Sequence, residues 1–131
     1  MLYKRLEQAN VVTTDGESIF ELMTQNDVDI YHNPVGLAVA KIKESKLHFH
    51  NKTHEIYYVL KGFGSLEMID EKGQKYNIPL EKGTMQYIPP KIKHKAYAAI
   101  FEEYPEIRIP LKVLVISCPP WTPEDDIKVE E

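Results

Sequence analysis

His48, His50 and Glu55 stand in the stretch Lys46-Leu47-His48-Phe49-His50-Asn51-Lys52-Thr53-His54-Glu55, where residue type and spacing together can do chemistry. Side chains at i and i+2 of a strand point to one face, so the two imidazoles converge on one point. Glu55 follows a short polar break and opens the alternating run Glu55, Tyr57, Val59; on an adjacent antiparallel strand its carboxylate faces the same cavity. Imidazole and carboxylate together suit one divalent transition metal ion (Mn, Fe, Ni, Zn or Cu), with positions left for water or substrate. The best source of a fourth ligand is His94, which follows Pro89-Pro90 and shares its phase with Ile92, Ala96 and Ala98, neighbours that suit an interior. Taken singly, each histidine reads as a surface or hydrogen-bonded core residue; the matched set is what argues for a metal. By alternation His54 points away from the face Glu55 presents, unless a bulge at the start of the strand exchanges the two. His32, beside Asn33-Pro34, reads as a loop residue.

The elements that must position these groups are short. Gly and Pro punctuation divides most of the chain into segments of strand length at 37–43, 46–50, 55–61, 65–70, 74–78, 85–88, 93–100 and 111–118, which predicts an all-β sandwich or barrel. Gly62-Phe63-Gly64, Glu71-Lys72-Gly73, Glu81-Lys82-Gly83 and Pro89-Pro90 supply turns. One helix is expected, over 18–25, because Ser18-Ile19-Phe20-Glu21 reads as a capping box and Ile19, Leu22 and Met23 share a face. Residues 119–131, with Pro119, Pro120 and Pro123 before Glu124, Asp125 and Asp126, read as an extended acidic tail whose few apolar anchors include Trp121.

The chain has 131 residues, 43% of them hydrophobic, which fits a single soluble domain over 1–131 with its barrel core at about 36–118. Its balance of 16 Lys plus Arg against 20 Asp plus Glu gives a net charge of −4, and without a basic block there is no footprint for nucleic acid. No stretch approaches the roughly 20 apolar residues of a membrane span. A single cysteine, and Lys4, Arg5 and Glu7 in place of an apolar leader, lead to the expectation of a cytoplasmic protein. No Cys-His or Ser-His-Asp spacing stands out; Cys118 reads as an ordinary thiol and Phe63 as a turn aromatic or dimer contact.

Residues 48–62 and 83–94 resemble the two motifs of the cupin family. The first runs His-x-His, four residues, Glu, six residues, Gly, met here by His48, His50, Glu55 and Gly62; the second is met by Gly83, Pro89 and His94. Three positions depart from the family pattern: Ile42 and Lys91 stand where Gly is usual, and Ala98 where Asn is usual. Lys91 is expected to avoid the positive-φ backbone that Gly permits there. The resemblance implies a double-stranded β-helix of jelly-roll type, with His48, His50, Glu55 and His94 on one metal ion. It also implies a homodimer, with the N-terminal residues adding a strand across the interface. Tyr57, Gln86 and Tyr97 are candidates to line the barrel mouth and bind a small polar substrate. The expected function is oxygen-dependent oxidation or isomerisation of a sugar or carboxylate; the alternative is a non-catalytic metabolite-binding or sensor module.

Overall fold

The computed structural model describes residues 2–14, 16–27, 32 and 34–131. Its strands are β1 (Asn10–Thr13), β2 (Glu17–Met23), β3 (Gly36–Ile42), β4 (His48–Phe49), β5 (His54–Lys61), β6 (Phe63–Ile69), β7 (Lys75–Glu81), β8 (Met85–Ile88), β9 (Lys93–Ala98), β10 (Leu111–Cys118) and β11 (Ile127–Lys128). Among the described residues they form two antiparallel sheets, ordered β1-β2-β3-β10-β5-β8 and β11-β4-β9-β6-β7. The all-β reading therefore holds. No helix among the described residues is long and apolar enough to cross a membrane.

Strand alternation builds the core between the sheets. In β5, Tyr57 and Val59 are buried while Tyr58 is exposed; in β9, His94, Ala96 and Ala98 are buried in step. These face Ala40 and Ile42 of β3, Leu66 and Met68 of β6, and Leu111 and Val113 of β10 in one apolar cluster. Ile42 and Ala98, two departures from the family pattern, are absorbed as core packing. β7 carries Pro79 in mid-strand, which is tolerated because β7 is an edge strand and the missing N–H has no ladder partner to lose.

The helix expected over 18–25 is not formed: Glu17–Met23 is a strand, hydrogen-bonded to β1 on one side and β3 on the other. Pairing supplies the reason. A lone helix of this length is marginal in water, whereas the strand gives its backbone groups partners on both edges and closes the otherwise open edge of β3. Helical structure at the N-terminus is the 3-10 turn Leu6–Gln8. β1 folds back on β2 within the same chain, with Thr14 N–H donating to the Glu17 carbonyl at 2.8 Å.

The two motif glycines adopt positive φ, 100° at Gly62 and 88° at Gly83. Contrary to expectation Lys91 does so too, at φ 70°, because its N–H donates to the His50 carbonyl at 2.6 Å and ties the turn to the strand that carries the histidines. A non-glycine residue held there bears a steric cost of about 1–2 kcal/mol, offset in part by the smaller unfolded-state entropy of Lys. Lys91→Gly is accordingly expected to stabilise the fold by about 0.5–1 kcal/mol, seen as a higher urea midpoint. A lower midpoint would show that the Lys91 side chain supports the turn.

Candidate metal centre

His48 and His50 flank Phe49 at β4, and His48 lies directly opposite His94 of β9. Glu55 enters from β5 in the other sheet, in step with Tyr57 and Val59. All four are buried, at 8%, 3%, 5% and 1% relative exposure for His48, His50, Glu55 and His94. One ligand atom from each lies within 4.8 Å of the others. Two ligands on opposite sides of an ion with ~2.1 Å bonds stand about 4.2 Å apart, so the set is nearly closed to coordinating distance.

Each imidazole is fixed by its outer nitrogen. Nδ1 of His48 donates to the Lys46 carbonyl at 2.8 Å, Nδ1 of His50 to the Asp125 carbonyl at 2.7 Å, and Nδ1 of His94 to the Ile92 carbonyl at 2.9 Å. A carbonyl only accepts, so each Nδ1 carries a proton, and each ring in its neutral form presents its Nε2 lone pair inward, as metal-ligating histidines do. Nε2 of His50 is 2.9 Å from Glu55 Oε1 yet has no hydrogen-bond partner. Nε2 of His94 lies 3.1 Å from the same oxygen. A buried ring nitrogen without a partner beside a buried carboxylate is what a cation resolves, and the donor set of three nitrogens and one carboxylate fits a divalent first-row ion.

The electrostatics agree. Burial and the neighbouring His94 push His48 down to about 4. Burial alone would lower His50, but the Glu55 carboxylate outweighs it and the net shift is upward. Burial also works against ionised Glu55, yet His50 and His94 overcome it and hold the carboxyl well below its ordinary range.

Residues 119–131 do more than trail as an acidic tail. Asp125 is buried, and its carboxylate accepts the backbone N–H groups of Asn51 (2.8 Å), Lys52 (3.1 Å) and Thr53 (3.0 Å), the turn between His50 and Glu55. Those donors outweigh burial and keep its carboxyl below the usual value. Next to it β11 pairs with β4. Asp125 thus clamps the metal-site turn with its side chain and the His50 ring with its carbonyl. An Asp more than 70 positions downstream of the turn left no signal in the sequence.

A cavity of about 240 Å³ opens on this group. Tyr57 lines it, as do Glu17, Ile19, Glu21 and Met23 of β2, the segment read as a helix. Gln86 and Tyr97 are not among the lining residues: Gln86 donates its amide to the Tyr87 carbonyl, and Tyr97 sits in β9 out of phase with inward-facing His94, Ala96 and Ala98. His54 is exposed and stacks on Tyr87, leaving Glu55 as the inward carboxylate. His32 is exposed.

Comparison with known proteins agrees with this geometry. The Cupin domain family matches residues 38–104. The chain belongs to the cupin family. This cupin is 34% identical over 115 residues to an uncharacterised protein of Methanocaldococcus jannaschii, covering 87% of this chain and 82% of that one. It is 42% identical over 53 residues to a glucose-6-phosphate isomerase of Thermococcus gammatolerans, which is 39% of this chain and 28% of that protein. Its fold resembles an oxalate decarboxylase of Bacillus subtilis with a TM-score of 0.77 at 17% identity, over 95% of this chain and 31% of that one. His48, His50, Glu55 and His94 form a group that could hold a metal ion in this cupin.

Asp125→Ala in this cupin is expected to cost on the order of 2–3 kcal/mol and to weaken metal binding at least about tenfold, measured by urea unfolding and by competition with a chelating dye. Unchanged affinity would show that the tail does not hold the site. For the metal-free protein, His48 protonates near 4 when folded against 6.5 when unfolded. Stability should therefore fall by about 3 kcal/mol as pH drops from 6.5 toward 4. His50, shifted upward, contributes stability already complete below its ordinary value and lost only as pH rises through its folded value. Glu55, shifted downward, contributes stability that is lost below its ordinary 4.5. Urea midpoints across this range should decline, and His48→Gln should flatten the slope.

Proposed function

We propose that this cupin is a metal-dependent enzyme acting on a small polar metabolite held in the cavity beside His48, His50, Glu55 and His94. The observation that carries this reading is the unpartnered, buried Nε2 of His50 next to Glu55, with all three histidines locked to face the same point. A divalent ion of Mn, Fe, Ni, Zn or Cu held by these four residues would supply Lewis-acid or redox chemistry. The chain's own part is to bind and shelter the substrate. Ile19, Leu37, Ala40 and Val115 exclude water along the cavity wall, and the Tyr57 ring packs edge-on to His94 and keeps that imidazole in place.

Isomerisation of a hydroxylated compound is the reaction we favour, supported by the local match to a protein named an isomerase; oxygen-dependent oxidation is the second reading, supported by the nitrogen-rich donor set. We further propose that residues 1–131 act as one domain and that the chain pairs as a homodimer. The support is β1, an edge strand whose Val11 and Val12 are exposed.

Elemental analysis of protein purified without chelator or nickel resin tests the central reading. About one equivalent of a first-row metal is expected in the wild type and little in a His48→Ala, His94→Ala double variant. A wild type that carries no metal and takes up none when it is added would leave the non-catalytic binding module ahead. Elution at monomer size at micromolar concentration would overturn the dimer.

A further inference from the structure

The charged residues that line the cavity are Glu17, Glu21, Glu55, Asp126 and Lys128. Most of them have partners. Glu55 belongs to the metal-binding group, and Glu21 Oε1 accepts the Asn10 amide at 2.7 Å. Asp126 holds the Lys128 ammonium at 3.1 Å and accepts the Trp121 indole N–H at 3.2 Å. The Glu17 carboxylate has no hydrogen bond or ion pair among the described residues. Burial raises its carboxyl above the ordinary value against the pull of Lys128, as expected of a carboxylate that no cation compensates.

Among the described residues the one Lys or Arg that lines the cavity, Lys128, is thus already paired with Asp126. The remaining residues, at 1, 15, 28–31 and 33, include no Lys or Arg. A phosphate or carboxylate group is ordinarily received by Arg, Lys or clustered backbone N–H groups. The divalent ion of the metal-dependent reading would draw one oxygen of a substrate to itself; away from it, an anionic group meets Glu17 and Glu21, in a partly enclosed space where like charges repel more strongly than in water. A hydroxyl group, by contrast, donates to an unpartnered carboxylate without cost in charge.

We propose that Glu17 sets the charge of the substrate: it accepts a hydrogen bond from a hydroxyl of an uncharged, hydroxylated compound and disfavours the phosphorylated or carboxylated analogue. This rests on the metal-dependent reading above and separates this cupin from the two relatives whose names imply anionic substrates. It makes Glu17 a specificity-determining residue on a strand outside both family motifs.

The test uses cobalt-loaded protein, with the visible absorption of the bound ion as readout, titrated with D-glucose and with D-glucose 6-phosphate. Glucose is expected to perturb the spectrum at about tenfold lower concentration than its phosphate. Glu17→Gln, with cobalt stoichiometry unchanged, should narrow or reverse that ratio by about tenfold, mainly by tightening the phosphate; Glu17→Ser should act in the same direction. A wild type that prefers the phosphate or ignores glucose overturns the proposal while leaving the metal site standing. So does a ratio that neither variant moves, or a Glu17→Gln variant that loses cobalt. A protein that takes up no cobalt overturns this inference and the metal-dependent reading together.

Discussion

Three imidazoles and a carboxylate, each at 8% exposure or less, have lost most of their water, and the protein must replace it. The outer hydrogen bonds do so. Each Nδ1–H is taken by a backbone carbonyl, from Lys46, Ile92 or Asp125, which fixes ring orientation and tautomer and leaves every Nε2 directed to one place. Those carbonyls lie in three distant parts of the chain. The site therefore exists only once β4, β9 and the C-terminal segment are all in position, and its integrity is coupled to that of the fold.

The same geometry leaves the inner side unresolved. Nε2 of His50 and Nε2 of His94 lie 2.9 and 3.1 Å from one Glu55 oxygen, and the His50 nitrogen has no hydrogen-bond partner. Protein atoms alone satisfy the periphery and leave a centre of converging lone pairs. A divalent ion is the simplest group to satisfy it.

Proteins similar to this chain carry different names, one an isomerase by sequence and another a decarboxylase by fold, and neither match extends over most of the other chain. Shared architecture leaves the chemistry open. The candidate metal position lies against a cavity wall. Here much of that wall comes from β2, which lies outside the matched residues 38–104 and brings Glu17 and Glu21 to the cavity.

His48, His50, Glu55 and His94 were legible in the sequence because strand alternation is a local property with a period of two, so phase alone tells which side chains share a face. The same rule, applied to β9, also places Tyr97 on the face opposite His94, which argues against it as a cavity residue. β2 was ambiguous: Ser18 to Glu21 satisfies a local capping pattern, while Glu17, Ile19, Glu21 and Met23 alternate as a strand does. Hydrogen bonding to β1 and β3 decided between them. Asp125 carried no readable signal, because its role depends on a turn more than 70 positions away, and Lys91 took a backbone conformation that its own type disfavours to satisfy the His50 carbonyl. The sequence by itself determined which residues are able to ligate and on which strand face they lie. Only the tertiary structure decided which distant carbonyls orient them and what charge surrounds them, since those depend on contacts between segments with no regular spacing along the chain.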